Sequence, residues 1–472
     1  MKTGSTANRQ EVTIREIGWQ APHVLFQRFA DEPFALLLDT AAPQPGAEES
    51  WSYIALDPVD TVVGHVETHG NLFDVLKEKL GRWPAPLPET GRPPFSAGVA
   101  GFFGYGLARA LEVLPPQAAP FAIDDQNLPD MALGFYDLVI AFNMTTQRAF
   151  ICASGEAAGP RLSDLEARLR EPVLFQAPYM PHHGGDVAAN FARMAYEKTV
   201  ARVIAYIEAG DIFQANLSQR FEGLLATGDD PYSLYLRLRD ISPAPFASYF
   251  NFGDGVIVSS SPERFLACRD HQVETRPIKG TRPRGATIDE DQRLAAELRA
   301  SEKDRAENIM IVDLLRNDLS RVCADHTVHA ARLCDLESYA NVHHLVSVVR
   351  GTLRQDQTAI DLLAACFPGG SITGAPKLRA MEIIAELEPT TRGPYCGAMG
   401  YIGLDGSMDT AITIRTMVVK QGRVTFQAGG GIVADSDPAS EYLETLDKAR
   451  AMRTALLGDE AQGAPRLGAT GT

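Results

Sequence analysis

Residues 397–450 read GAMGYIGLDGSMDTAITIRTMVVKQGRVTFQAGGGIVADSDPASEYLETLDKAR. Three runs here, 397–402, 411–419 and 424–428, are rich in the β-branched and aromatic residues of strands and are parted by glycine-bearing turns. Asp437-Pro438 then opens a helix. Asp is an N-cap, and Pro at the first helical position gives up only an N–H that no carbonyl would receive. Strands in succession and then a helix, without a regular strand–helix beat, favour an α+β sheet-layer fold over a doubly wound one.

The pattern extends upstream. Residues 192–209 carry apolar side chains at helical spacing (Val200, Val203, Ile204, Ile207) and end at Gly210, a suitable C-cap. Residues 212–221, 256–261 and 264–268 read as strands, the last two parted by a turn at Ser261-Pro262. Residues 289–316 give one long helix pattern. The segments 41–50, 84–94 and 178–187 read as loops, and the third sets a boundary near residue 188. A less distinctive region, 1–187, precedes a motif-dense one, 188–458. The first dozen residues and the tail 459–472 are small and polar, and are expected to fray.

The bulk numbers bound the partners. A chain of 472 residues has ample core, and 45 % hydrophobic with 22 % charged residues is ordinary for a globular protein. A formal charge of -16 argues against nucleic acid or an anionic membrane as the main partner, while leaving room for a local basic pocket. The six cysteines form no CxxC pair and no zinc spacing, and are expected to be reduced, buried thiols of a cytoplasmic protein. No apolar h-region opens the chain, and no run of about 18 apolar residues would span a bilayer.

Five segments carry candidate chemistry. In the final helix, Glu441, Glu444 and Lys448 share one face behind Gly429-Gly430-Gly431, read as a turn whose exposed amides suit a carboxylate or phosphate. Two carboxylates so close invite a divalent, oxygen-seeking cation, although a solvated helix face gives the same pattern. Asp304 and Glu307 lie three apart on the helix at 289–316, with the same alternative. Glu263, in Ser261-Pro262-Glu263-Arg264-Phe265, would be raised in pKa by burial into a general acid, or would be half of an edge-strand ion pair. Lys279, in Pro277-Ile278-Lys279-Gly280-Thr281, sits on restrained backbone. Desolvation and the nearby Arg282 and Arg284 would make it a nucleophilic amine, or it acts with them as an anion clamp. Residues 367–377, FPGGSITGAPK, form a glycine-rich loop entering a helix, but their spacing is not that of a Walker loop. His343-His344 opens an apolar run, where a satisfied core histidine is the plainer reading.

Taken together and in this order, these signatures resemble the chorismate-utilising enzymes. They are SPERF, PIKGT, ENIMIVDLLRND, HLVS, FPGGSITGAPK, GYIG, IRT and GGGIVADSDP. The dense match runs over residues 190–455, and LLLDT at 36–40 and GFFGY at 101–105 extend it loosely to the N-terminal region. The resemblance implies two large antiparallel sheets packed in a sandwich with helices outside. It implies Mg²⁺ held by Glu307 and Glu444, with Asp304 and Glu441 beside it through water. The ring carboxylate of chorismate would meet the metal, the Gly429, Gly430 and Gly431 amides and Lys448. Tyr395 and Arg415 match positions that grip the enolpyruvyl carboxylate. His344 and Ser371 match positions near the ring hydroxyl, and Thr281 joins the substrate-binding set.

Within the family, Lys279 discriminates. Anthranilate synthase large subunits carry alanine there, and the aminodeoxychorismate synthase large component carries lysine. The resemblance therefore implies attack by Lys279 on C2 of chorismate, loss of the C4 hydroxyl protonated by Glu263, and displacement of the lysine by ammonia. The product would be 4-amino-4-deoxychorismate, on the way to p-aminobenzoate and folate. Isochorismate synthases use another lysine, whose position falls near Gln214 here. The chain shows no glutaminase signature, so ammonia is expected from a separate glutamine amidotransferase subunit. Ser242-Pro243-Ala244-Pro245-Phe246 and Asp39-Thr40 fall where relatives bind tryptophan. The rival readings are an anthranilate synthase large subunit and a non-catalytic chorismate-fold sensor.

Overall fold

Residues 397–450 fold as four strands and a helix. Ala398–Gly403 and Met408–Ile412 pair antiparallel, and so do Thr416–Lys420 and Arg423–Ile432. The expected single strand 411–419 is interrupted because Arg415 takes a left-handed backbone, φ 52°, which a non-glycine residue adopts only at a cost. The interruption sends the two hairpins into different sheets.

The computed structural model describes residues 9–87, 91–112, 123–155, 158–171, 175, 177–180, 186–339, 342–458 and 466–467. Among them, one large sheet has thirteen strands and a second has ten. The strands that position the site are β1 (Gln214–Leu224), β2 (Val256–Ser261), β3 (Arg264–Arg269), β4 (Ile278–Pro283), β5 (His329–Ser338), β6 (Val342–Thr352), β7 (Thr416–Lys420) and β8 (Arg423–Ile432). In the first sheet β2, β7, β8 and β1 lie side by side, and in the second β4, β6 and β3 lie toward one edge, with β4 outermost and β5 also paired to β6. Pairing within both sheets is antiparallel, apart from Arg466–Leu467 beside Ala188–Ala189.

The two sheets form a sandwich. Leu36, Tyr53, Val139, Phe250 and Ile257 of the first sheet pack against Phe102, Tyr136, Met399 and Tyr401 of the second in one buried cluster. The outer face of the first sheet is covered by Pro231–Ile241 and by α3 (Pro438–Leu457), and that of the second by Leu72–Leu80 and Ala359–Cys366. Burial of such apolar area is the main favourable term in folding.

Several boundaries differ from expectation. The helix 289–316 is two helices, α1 (Ile288–Ala300) and α2 (Glu302–Ser320). Ser301 leaves helical geometry between them, and its hydroxyl accepts the Asp304 amide at 3.3 Å, capping α2. Gly429-Gly430-Gly431 is no turn: β8 runs through it to Ile432, and its residues pair with Ser218, Leu217 and Asn216. Within the first dozen residues Arg9–Gln10 is a strand and another begins at Val12. In the tail, Arg466–Leu467 is a strand, and the rest of 459–472 lies outside the described residues, as do 181–185 of the expected third loop. Both sheets draw strands from either side of residue 188, so that position separates motif densities and not sheets. The six cysteines are buried. Among the described residues no helix is long and apolar enough to cross a membrane.

Candidate active site

Lys279 stands on the edge strand β4. Its Nζ donates to the carbonyl of Ser371 at 3.0 Å, which carries the glycine-rich segment to the lysine. Burial lowers the Lys279 pKa, and Glu307, Glu263 and Glu444 oppose that shift. Arg282 and Arg284 take other partners: Arg282 pairs with Glu297 at 3.0 Å and Asp304 at 3.4 Å, and Arg284 with Asp291 at 2.7 Å. The expectation that they depress the lysine fails because their side chains are committed to α1 and α2.

Glu263 follows the Pro262 turn between β2 and β3 and is 5 % exposed. Ser371 Oγ donates to its Oε1 at 2.8 Å, and the Ile278 amide approaches the same oxygen at 3.5 Å. Burial raises its pKa, against the Ser371 bond and the charge of Lys279. Glu263, Lys279 and Ser371 are thus one hydrogen-bonded group, and Glu263 is no edge-strand ion pair.

His344, on β6, is buried, with its Nδ1 2.9 Å from Thr281 Oγ1. Burial and then Arg415 depress it to about 4, so the ring is neutral near pH 7. Arg415 is half-buried, and among the described residues no carboxylate pairs with it. Burial lowers its pKa, with only Tyr395 opposing. An unmatched guanidinium beside a buried phenol is a site waiting for an anion. Tyr395 packs under Arg392, whose guanidinium lies 5.7 Å from its ring.

The floor and the carboxylates face each other across β8. A Cβ on Gly430 would lie 2.9 Å from Glu441 Oε2 and 3.2 Å from Glu444 Oε1, so its missing side chain admits the helix. A Cβ on Gly429 would strike the Leu217 carbonyl at 2.4 Å, and one on Gly431 the Gln214 amide at 2.2 Å. Lys448 Nζ donates to the Gly429 carbonyl at 2.9 Å and pairs with Glu444 at 2.6 Å. Glu441 accepts from Ser436 Oγ at 2.7 Å. Burial raises the Glu441 pKa. For Glu444 burial also acts upward, but Lys448 outweighs it.

Glu307 is raised by burial against the pull of Lys279 and Lys303, with Asp304 and Glu444 raising it further. Its carboxylate makes no hydrogen bond or ion pair among the described residues. Its neighbour Asn308, wholly buried, donates to the Leu345 carbonyl at 3.3 Å and accepts from Ser347, fixing α2 on β6. This support was not legible in the sequence, where an asparagine after a glutamate carries no periodic signal.

The donor set fits Mg²⁺. Among the described residues no three acidic, histidine or cysteine groups close round an ion, but Mg²⁺ asks for only one or two carboxylates, completed by water and ligand oxygens. Glu307, unpartnered among the described residues, and Glu444 would offer those. The tryptophan-matching segments lie elsewhere. Asp39, Thr40, Pro245 and Phe246 line a cavity of about 780 Å³ that none of these site residues borders. There Asp39 is held by Arg239 at 2.6 Å and by the Tyr235 hydroxyl at 2.8 Å.

Known proteins place this geometry. The chain is 41 % identical over 458 residues to anthranilate synthase component 1 of Streptomyces coelicolor, covering 93 % of this chain and 87 % of that one. It is 38 % identical over 445 residues to aminodeoxychorismate synthase component 1 of Escherichia coli, covering 91 % and 94 %. Anthranilate synthase component I of Streptococcus pneumoniae superposes with a TM-score of 0.76 at 32 % identity, over 87 % of this chain and 94 % of that one. The family model described as chorismate binding enzyme matches residues 33–454, a span holding every residue of the site, and the chain belongs to that family of chorismate-utilising enzymes.

Proposed function

We propose that this chain is the large subunit of an aminodeoxychorismate synthase. The observation that carries the reading is Lys279: a desolvated amine 3.0 Å from the Ser371 carbonyl, in the field of the buried acid Glu263. As the amine attacks C2 and gives up a proton, both ring double bonds shift by one position and the C4 hydroxyl departs as water with a proton from Glu263. Ammonia then adds at C4 and gives up a proton, both double bonds return, and Lys279 leaves C2 with a proton regained, giving 4-amino-4-deoxychorismate. One awkward substitution becomes two allylic ones. Arg415 and Tyr395 would hold the enolpyruvyl carboxylate, and Lys448 with the Gly429–431 floor the ring carboxylate. Neutral His344, oriented by Thr281, would hydrogen-bond near the ring hydroxyl. Mg²⁺ held by Glu307 and Glu444, with Asp304 and Glu441 through water, would supply positive charge to the ring carboxylate. Ammonia would come from a glutaminase partner, in keeping with the component 1 names of the relatives.

The second reading, anthranilate synthase, rests on relatives of that name at 41 % identity. The test is product identification from the pure protein with chorismate, Mg²⁺ and ammonium. The proposal expects no anthranilate fluorescence, and p-aminobenzoate only after an aminodeoxychorismate lyase is added. Anthranilate formed without the lyase would overturn it.

A further inference from the structure

The strand that carries Lys279 is weakly fixed by its own ladder. β4 is an edge strand, it ends in Pro283, and Pro277 precedes it, so two backbone donors are missing. Its register against β6 shifts between Lys279 and Thr281, at Gly280, where φ is +83°. An extra residue in a ladder re-aims the side chains on either side. Something beyond the ladder must set the direction of Lys279.

Helix α1 supplies it, although it has almost no core of its own. Of its residues only Leu298 is buried, and Ile288 is 77 % exposed. Asp291 ties it down. Its carboxylate accepts from Arg284 Nε at 2.7 Å and Nη2 at 2.8 Å, from the Gly285 amide at 2.9 Å, and lies 2.9 Å from His343 Nε2. Arg284 and Gly285 are the residues just past β4, and His343 lies on β6 opposite Arg282. A Cβ on Gly285 would sit 2.2 Å from the Asp291 amide nitrogen, so loop and helix touch at backbone distance. Ser338 Oγ, on β5, is 2.7 Å from His343 Nδ1. The ring donates from Nε2 to Asp291, which can only accept, and Ser338 faces its other nitrogen. His343 is buried, and its neighbour His344 points to the opposite face, toward Thr281.

We propose that Asp291 is a positioning residue: one carboxylate pins the end of β4 and the start of β6 to α1, and so holds Lys279 and His344 in their placement relative to each other. It touches no reacting atom. Arg284 and Gly285 saturate it, which suits it to holding His343 and not to activating it.

The proposal rests on the amination reading for its covalent readout, but not for its kinetic one. In the full-length protein with chorismate, Mg²⁺ and ammonium, Asp291→Ala is expected to lower kcat about 10²-fold, the scale of an ångström misplacement. KM for chorismate is expected to hold within about threefold, because Arg415 and the Gly429–431 floor are untouched. Lys279 adduct formation, read by intact mass, should slow in step with kcat. Asp291→Asn keeps an oxygen for Gly285 and His343, and should recover most of both. Should Asp291→Ala not fold, Gly285→Ala lifts the loop from the helix with every charge kept, and should show the same split of kcat from KM. Wild-type kcat and adduct rate in a folded Asp291→Ala or Gly285→Ala protein, with only its melting temperature lowered, would overturn the assignment. If the wild type forms no adduct, the amination reading falls, and kcat for chorismate consumption still decides the role of Asp291.

Discussion

Glu263→Gln isolates one proton from the rest of the site. The glutamine is isosteric, and its carbonyl oxygen can still accept from Ser371 Oγ, which donates at 2.8 Å in the native protein. Packing is therefore preserved, while the group that would protonate the departing C4 hydroxyl is gone. General-acid catalysis typically contributes about 10²–10⁴-fold, so kcat for 4-amino-4-deoxychorismate should fall by that factor, about 3–5 kcal/mol of barrier. KM for chorismate should move little, since Glu263 binds neither carboxylate. The same substitution has a signature in stability. Burial raises the native Glu263 pKa above the ordinary carboxylate range. The folded state therefore binds the proton more tightly than the unfolded chain does. That contribution is fully present below the unfolded pKa and is lost as pH rises through the folded one. The variant, always neutral, should melt higher than the wild type at pH 8, and the difference should vanish on approaching pH 4.5. Chorismate consumption by stopped assay and melting curves from pH 4.5 to 8 measure both effects. A variant with wild-type kcat, or one that melts lower at pH 8, would refute the assignment of Glu263 as a buried, proton-donating acid.

Four further outcomes follow from the same geometry. Lys279→Ala should abolish the covalent adduct seen by intact mass after trapping, and full amination activity in that variant would exclude the nucleophile. Arg415→Met should raise KM for chorismate by about 30- to 5 × 10³-fold, the cost of leaving a charge partner unpaired (about 2–5 kcal/mol). It should also raise the melting temperature of the ligand-free protein, since it removes an unmatched, half-buried cation that burial disfavours. Gly430→Ala places a methyl 2.9 Å from Glu441 Oε2, so the Mg²⁺ concentration for half-maximal activity should rise with the overall fold, by circular dichroism, unchanged. His344, depressed to about 4, should show no protonation by NMR between pH 6 and 8, and the pH–rate profile should carry no limb from it there.

What the sequence disclosed was what local chemistry writes. The Asp437-Pro438 cap and the β2 strand at Val256–Ser261 fell where turn and cap residues put them. The breaks at Ser301 and Arg415 did not. A serine within a periodic helical pattern is ordinary, and only the capped Asp304 amide shows that it ends one helix and starts another. A positive φ at an arginine has no compositional mark at all. The run of three glycines misled in the opposite direction. Glycine usually signals a turn, but here its lack of a Cβ lets β8 pass beneath α3 and beside Leu217 and Gln214. Sheet order was illegible for a different reason: Gly98–Phe103 and Met131–Tyr136 are buried on both faces, so no alternation reveals which neighbour each will take.

The site itself was legible as residues but not as partners. Lys279, Glu263 and Ser371 are far apart in the chain, and nothing in their local sequence predicts that the lysine donates to the serine carbonyl while the serine hydroxyl donates to the glutamate. That arrangement turns a choice between nucleophile and clamp into a chemical statement. A clamp lysine needs its charge and would be best served by water and free carboxylates. An amine held by a neutral carbonyl, with burial working against its proton, is better suited to attack. Relatives of both names share the frame to a similar degree. Two enzymes that bind the same dianion need the same guanidinium, floor and carboxylates. They differ where the incoming nitrogen is directed, and on the proposed reading that difference is concentrated on the single amine of Lys279 and on whatever holds its strand in place.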